Sequence, residues 1–112
     1  MTEPVVLCRL DEIPDGGCKG FLIGAGAAQR ELFGVRRGGR AFVYENSCPH
    51  TGAPLDWQPD VFLDVEKRFI QCATHGALFR IEDGYCVHGP CIGRHLTALP
   101  ALVVDGQVQL GT

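Results

Sequence analysis

Two short motifs, Cys48-Pro49-His50 and Cys72-Ala73-Thr74-His75, constrain this chain more than any other feature. Each pairs one thiol with one imidazole. The spacing of two puts Cys48 and His50 on the same side of an extended loop. The spacing of three does the same for Cys72 and His75 around a tight turn. Each loop therefore offers one soft sulfur and one borderline nitrogen, and together they supply two of each. That inventory suits a binuclear iron–sulfur centre in which two Cys hold one iron and two His hold the other. The rival is a mononuclear Cys2His2 zinc site. Structural zinc sites, however, usually take their ligands in like pairs, Cys close to Cys and His close to His. Mixed pairs bridge two irons more naturally than they close one tetrahedron. The candidate cluster and metal ligands are thus Cys48, His50, Cys72 and His75.

The neighbouring residues narrow the choice. The run Cys48-Pro49-His50-Thr51-Gly52-Ala53-Pro54-Leu55, the run Cys72-Ala73-Thr74-His75-Gly76-Ala77-Leu78-Phe79 and the later Gly89-Pro90 resemble the Rieske ferredoxin family. The resemblance extends from about Leu32 to Leu110. One departure is the segment 51–71, a few residues longer than is usual for the small ferredoxins. The resemblance implies an all-β fold, a Rieske-like antiparallel β-sandwich with a small cluster-binding subdomain formed by the two ligand loops. It implies one [2Fe–2S] cluster, with Gly89-Pro90 in a loop that covers it. It further implies a soluble one-electron carrier rather than an enzyme, taking electrons from a flavin reductase and passing them to an oxygenase or related terminal enzyme. The partner would dock where the His50 and His75 imidazoles reach the surface. A Rieske oxygenase needs a second iron on two His and a carboxylate. Only His88 and His95 remain, in a chain too short for the additional domain. The alternative is a small structural or regulatory subunit of a nitrite-reductase-like complex, where such a chain can lack the cluster. All four ligand positions are filled here, which favours the carrier.

The resemblance also bears on the potential. High-potential Rieske proteins of respiratory complexes add a disulfide clamp between the ligand loops and two hydroxyl donors to cluster sulfur, one from Ser and one from Tyr. The corresponding positions here are Thr74 and Ala53 for the clamp, and Ala77 and Phe79 for the hydroxyls. Without donors to stabilise the added negative charge, reduction is disfavoured. The expected potential lies near the low end of the Rieske range, at about −150 mV.

At 112 residues the chain can bury one modest core, and one domain over 1–112 is expected, with the cluster-binding part at about 46–92. Fifteen Gly and seven Pro predict many turns and short strands rather than long helices. A net charge of −3 gives no reason to expect nucleic acid or an anionic membrane as partner. No apolar run is long enough to span a bilayer. Met1-Thr2-Glu3-Pro4 shows no basic region leading into an apolar stretch, so a secretory signal is not expected and a cytoplasmic location is.

Strands are expected at Val5–Cys8, Glu31–Arg36, Ala41–Tyr44, Arg68–Gln71 and Leu78–Ile81. Turns fall at Asp15-Gly16-Gly17, Arg37 to Arg40 and Glu82-Asp83-Gly84. Leu99 to Asp105 and Gln107 to Leu110 read as a closing hairpin turned at Asp105-Gly106. Gly20 to Ile23 is a short apolar segment. Gly24 to Ala28 interrupts the pattern, and no Lys-Ser or Lys-Thr follows to suggest a phosphate loop. Asp56 to Lys67, with Trp57 and Phe62 among acidic residues, reads as a hairpin packed on its own aromatics or as a docking surface beside the cluster. Cys8 and Cys18 are expected to behave as small buried hydrophobes. Cys86 and Cys91 flank Gly89-Pro90, where a disulfide is geometrically conceivable but disfavoured in a reducing compartment. His88 and His95 are expected on the surface.

Overall fold

The computed structural model describes residues 5–24, 26–49, 55–56, 62–64, 66–72 and 76–110. Ten strands run in order through it: β1 (Val5–Arg9), β2 (Cys18–Ile23), β3 (Arg30–Arg37), β4 (Arg40–Glu45), β5 (Ile70–Gln71), β6 (Leu78–Phe79), β7 (Cys86–His88), β8 (Ala98–Leu99), β9 (Ala101–Val104) and β10 (Gln107–Leu110). They form three sheets, ordered β1-β10-β9, β2-β3-β4-β8 and β5-β6-β7. All strand pairs are antiparallel. The all-β antiparallel expectation holds.

The central sheet explains the layering. In β3, Leu32, Phe33, Gly34 and Val35 are all buried in succession. Successive side chains on a strand point to opposite faces, so such a run needs cover on both sides. Leu32 and Val43 join Ile13, Val108 and Leu110 in a core under the β1-β10-β9 sheet. Phe33, Val35 and Tyr44 join Leu55, Phe62, Ile70, Phe79 and Ile81 in a second core that reaches the β5-β6-β7 sheet. The sandwich is therefore extended by a third layer, and that layer carries the loop of the second Cys/His motif.

Several boundaries differ from the sequence expectation for identifiable reasons. The strand expected over Arg68–Gln71 shrinks to β5, because Asp64 Oδ1 accepts the Arg68 and Phe69 N–H groups at 2.9 and 3.2 Å. A side chain that captures backbone donors competes with the sheet ladder. The segment Leu99–Asp105 is broken at Pro100, which has no N–H to give. Leu99 consequently pairs with Val43 of β4, while Ala101 pairs with Leu110 of β10. Gly26–Ala28 forms a short 3-10 turn. Phe62 corrects the reading of the insert: it is fully buried and stacks on Phe33 at 4.4 Å between ring centroids. It belongs to the main core, neither to a private aromatic cluster nor to a docking surface. Trp57 lies outside the described residues.

Candidate metal centre

The second ligand loop hangs between β5 and β6, where Gln71 faces Leu78 in register. The Cys72 N–H donates to the Ala77 carbonyl at 2.9 Å, and the Gly76 N–H donates to the Cys72 carbonyl at the same distance. These two bonds close a tight tip, and Gly76 takes the left-handed conformation the tip requires (φ 67°). Cys72 is fully buried. His75 falls within 73–75, outside the described residues.

The first ligand loop leaves the end of β4. Its two ends are pinched by one side chain: Asn46 Oδ1 accepts the Leu55 N–H at 2.7 Å, and Asn46 Nδ2 donates to Asp56 Oδ1 at 2.8 Å. Asn46 is itself fixed, its N–H donating to the Glu31 carbonyl at 2.9 Å. Cys48 is buried within this pinch. His50, with 51–54, lies outside the described residues.

A third segment, Gly89 to Arg94, clasps both loops. A Cβ on Gly89 would sit 2.8 Å from Ala77 Cα, so the clasp meets the second loop backbone to backbone, and only glycine fits there (φ 99°). On the other side, Arg94 Nη1 donates to the Pro49 carbonyl at 2.9 Å. Cys91 brings its Sγ to 3.9 Å from Cys48 Sγ. The clasp is anchored below by the Cys86 N–H, which donates to the Arg94 carbonyl at 2.9 Å. Gly89-Pro90 thus lies beside the ligand loops, as the sequence suggested.

None of the six cysteines is in a disulfide. Cys86 donates its S–H to the His88 carbonyl at 3.2 Å, whereas Cys91 faces Cys48, so these two thiols serve different neighbours. Cys8 is buried and Cys18 half-buried, and burial pushes the Cys8 thiol above its ordinary range. His88 and His95 are exposed, His95 edge-on to the Tyr85 ring at 5.1 Å. Arg80 and Asp83 pair across the turn after β6, and the hydrogen bond from Arg80 holds the Asp83 carboxyl below the usual range, helped by the Tyr85 N–H.

Sequence reasoning missed Asn46 and Arg94, and it considered Cys91 only against Cys86, not against Cys48. Asn46 carried a weak signal, since Asn beside a turn often binds backbone through its amide. Arg94 carried none, because its contact spans 45 residues.

The donor set fits an iron–sulfur centre. Cys48 and Cys72 come from separate, individually closed loops and lie in one apolar buried cluster with Leu55, Ala77 and Phe79. Two dry thiols from two loops are what one iron of a mixed Cys/His centre takes. Among the described residues no three potential metal ligands converge, both candidate imidazoles lying outside them. No helix among the described residues is long and apolar enough to cross a membrane.

Solved structures of similar fold include ferredoxins. The chain is similar to the ferredoxin of carbazole 1,9a-dioxygenase from Nocardioides aromaticivorans IC177, with 23% identity, a TM-score of 0.74 and 98% of each chain covered. It is similar to the ferredoxin of Sphingomonas yanoikuyae B1, with 24% identity, a TM-score of 0.72, and 98% of this chain and 99% of that one covered. A complex of reduced oxygenase and oxidized ferredoxin in carbazole 1,9a-dioxygenase also matches, at 21% identity and a TM-score of 0.73, over 96% of this chain and 92% of that one. At these identities the likeness is one of fold. No curated protein sequence matches the chain. The family model of the Rieske [2Fe-2S] domain matches residues 3–103, through both ligand loops and the clasp. The chain belongs to the Rieske [2Fe-2S] domain family.

Proposed function

We propose that this protein is a cytoplasmic one-electron carrier, one domain over 1–112, that takes electrons from a flavin reductase and delivers them to a terminal oxygenase. The [2Fe–2S] cluster of its family supplies a centre that accepts and returns a single electron. Cys48 and Cys72 would hold one iron, and His50 and His75 the other. The chain's own residues exclude water and fix the donors. Leu55, Ala77 and Phe79 surround the thiols with apolar atoms. Asn46 closes one loop, the Cys72–Ala77 bond closes the other, and the clasp joins them.

One observation carries this reading: the two thiols of the two ligand motifs are buried in the same apolar cluster, beneath a clasp that touches both loops. Likeness in fold to a ferredoxin seen in complex with its oxygenase supports an oxygenase as the acceptor. The clasp and the adjoining β7 also expose apolar side chains, Ile92 at 64% and Val87 at 38%. Exposed apolar side chains of this kind suit a transient partner.

The test is anaerobic reduction of the purified protein, followed by EPR with iron and sulfide analysis. Two irons, two sulfides and nitrogen ligation at one iron are expected. A preparation holding one zinc and no sulfide, after expression with iron available, overturns the reading.

A further inference from the structure

Four cysteines lie in the apolar cluster around the ligand loops. Cys48 and Cys72 belong to the ligand motifs, and Cys86 gives its S–H to the His88 carbonyl. Cys91 faces Cys48 at 3.9 Å between sulfurs. That separation suits a sulfur–sulfur hydrogen bond and is far beyond a disulfide bond of about 2.05 Å. Between two thiols either partner can donate. The choice disappears once Cys48 binds iron, because a metal-bound sulfur is a thiolate without a proton. The donor is then Cys91.

We propose that Cys91 donates its S–H to the Cys48 sulfur and thereby raises the reduction potential of the centre; the inference rests on Cys48 being a ligand. Cys91 binds no iron itself. It is a positioning residue that acts through the ligand sulfur. A thiol is a weak donor, so the contact matters only if it is fixed and dry. Both conditions hold. Cys91 is 1% exposed. Its segment is anchored at three places: Gly89 against Ala77, the Arg94 N–H on the Cys91 carbonyl at 2.8 Å, and the Arg94 guanidinium on the Pro49 carbonyl. A donor to a ligand sulfur draws electron density from it and stabilises the reduced, more negative state. Ala77 and Phe79 bring no hydroxyl to the site, so the S–H of Cys91 acts where those donors are missing.

The test measures midpoint potentials of cluster-loaded wild type, Cys91→Ala, Cys91→Val and Cys91→Ser by voltammetry, with EPR and iron and sulfide content on each. The two variants without a donor are expected to keep two irons and two sulfides and to show a lower midpoint than wild type. Cys91→Ser, which keeps a donor, is expected above both. Equal midpoints in wild type and a loaded Ala or Val variant overturn the inference and leave the carrier reading intact. Failure of both donorless variants to load also overturns it, by assigning Cys91 to packing. Normal loading of Cys48→Ala overturns the ligand assignment beneath it instead.

Discussion

Tyr44 ties the central sheet to the ligand-loop layer through one hydroxyl, which donates to the Ile81 carbonyl. The side chain is almost wholly buried, and a Cβ on Gly84 would lie 2.9 Å from its ring. Burial, and then the nearby Asp83 and Glu82 charges, push the phenol well above its ordinary range. The fold therefore holds Tyr44 neutral, while the unfolded chain can release its proton at about pH 10. The sign follows: this contribution is complete below the unfolded value and is lost as pH rises from there through the folded one. Tyr44→Phe leaves the Ile81 carbonyl unpaired in the core, at a cost of about 1–3 kcal/mol near neutral pH. Urea unfolding at neutral pH and at about pH 10.5 checks this, with the gap between wild type and variant expected to narrow at the alkaline value.

At the level of elements, the ligand loops owe their shape to closures at their bases. Asn46→Ala removes the acceptor for the Leu55 N–H and the donor to Asp56 together. The expected cost is about 1–3 kcal/mol, since a half-buried backbone donor loses its partner. The variant should also lose iron and sulfide faster on incubation with a chelator than wild type does. Loss at the wild-type rate would free Asn46 from this role. The hairpins of β3 with β4 and β9 with β10 were legible in the sequence, because apolar runs are separated there by Gly-Gly and Asp-Gly. The Cys and His motifs were legible for a different reason, as ligand chemistry fixes residue type and spacing locally. β7 was not legible, since exposed Val87 and His88 give it no alternation. Asn46 and Arg94 escaped because their partners are set by the closed fold, and Pro100 gave no sign that the two sides of it would enter different sheets.

For the whole molecule, the potential and the docking surface are the quantities that decide its role. Ala77 and Phe79, both fully buried, offer no hydroxyl, and a midpoint near the low end of the Rieske range, about −150 mV, is expected. Electron-rich irons withdraw little from their imidazoles, so His50 and His75 should keep their N–H protons through neutral pH. Voltammetry from about pH 6 to 8 should therefore give a flat midpoint. A midpoint above zero, or a slope approaching one proton per electron, would contradict it. Ile92→Asp places a charge on the exposed tip of the clasp, and transfer to an oxygenase component should slow severalfold with the absorption spectrum unchanged. Unchanged transfer would move the docking surface elsewhere. The clasp has one more consequence. It presses on one loop through Gly89 and grips the other through Arg94, over a layer that shares its core with the central sheet. As iron ligands, Cys48 and Cys72 held in this way would have little room to relax when charge arrives or leaves. In the proposed carrier, nuclear rearrangement would then add little to the barrier for electron exchange.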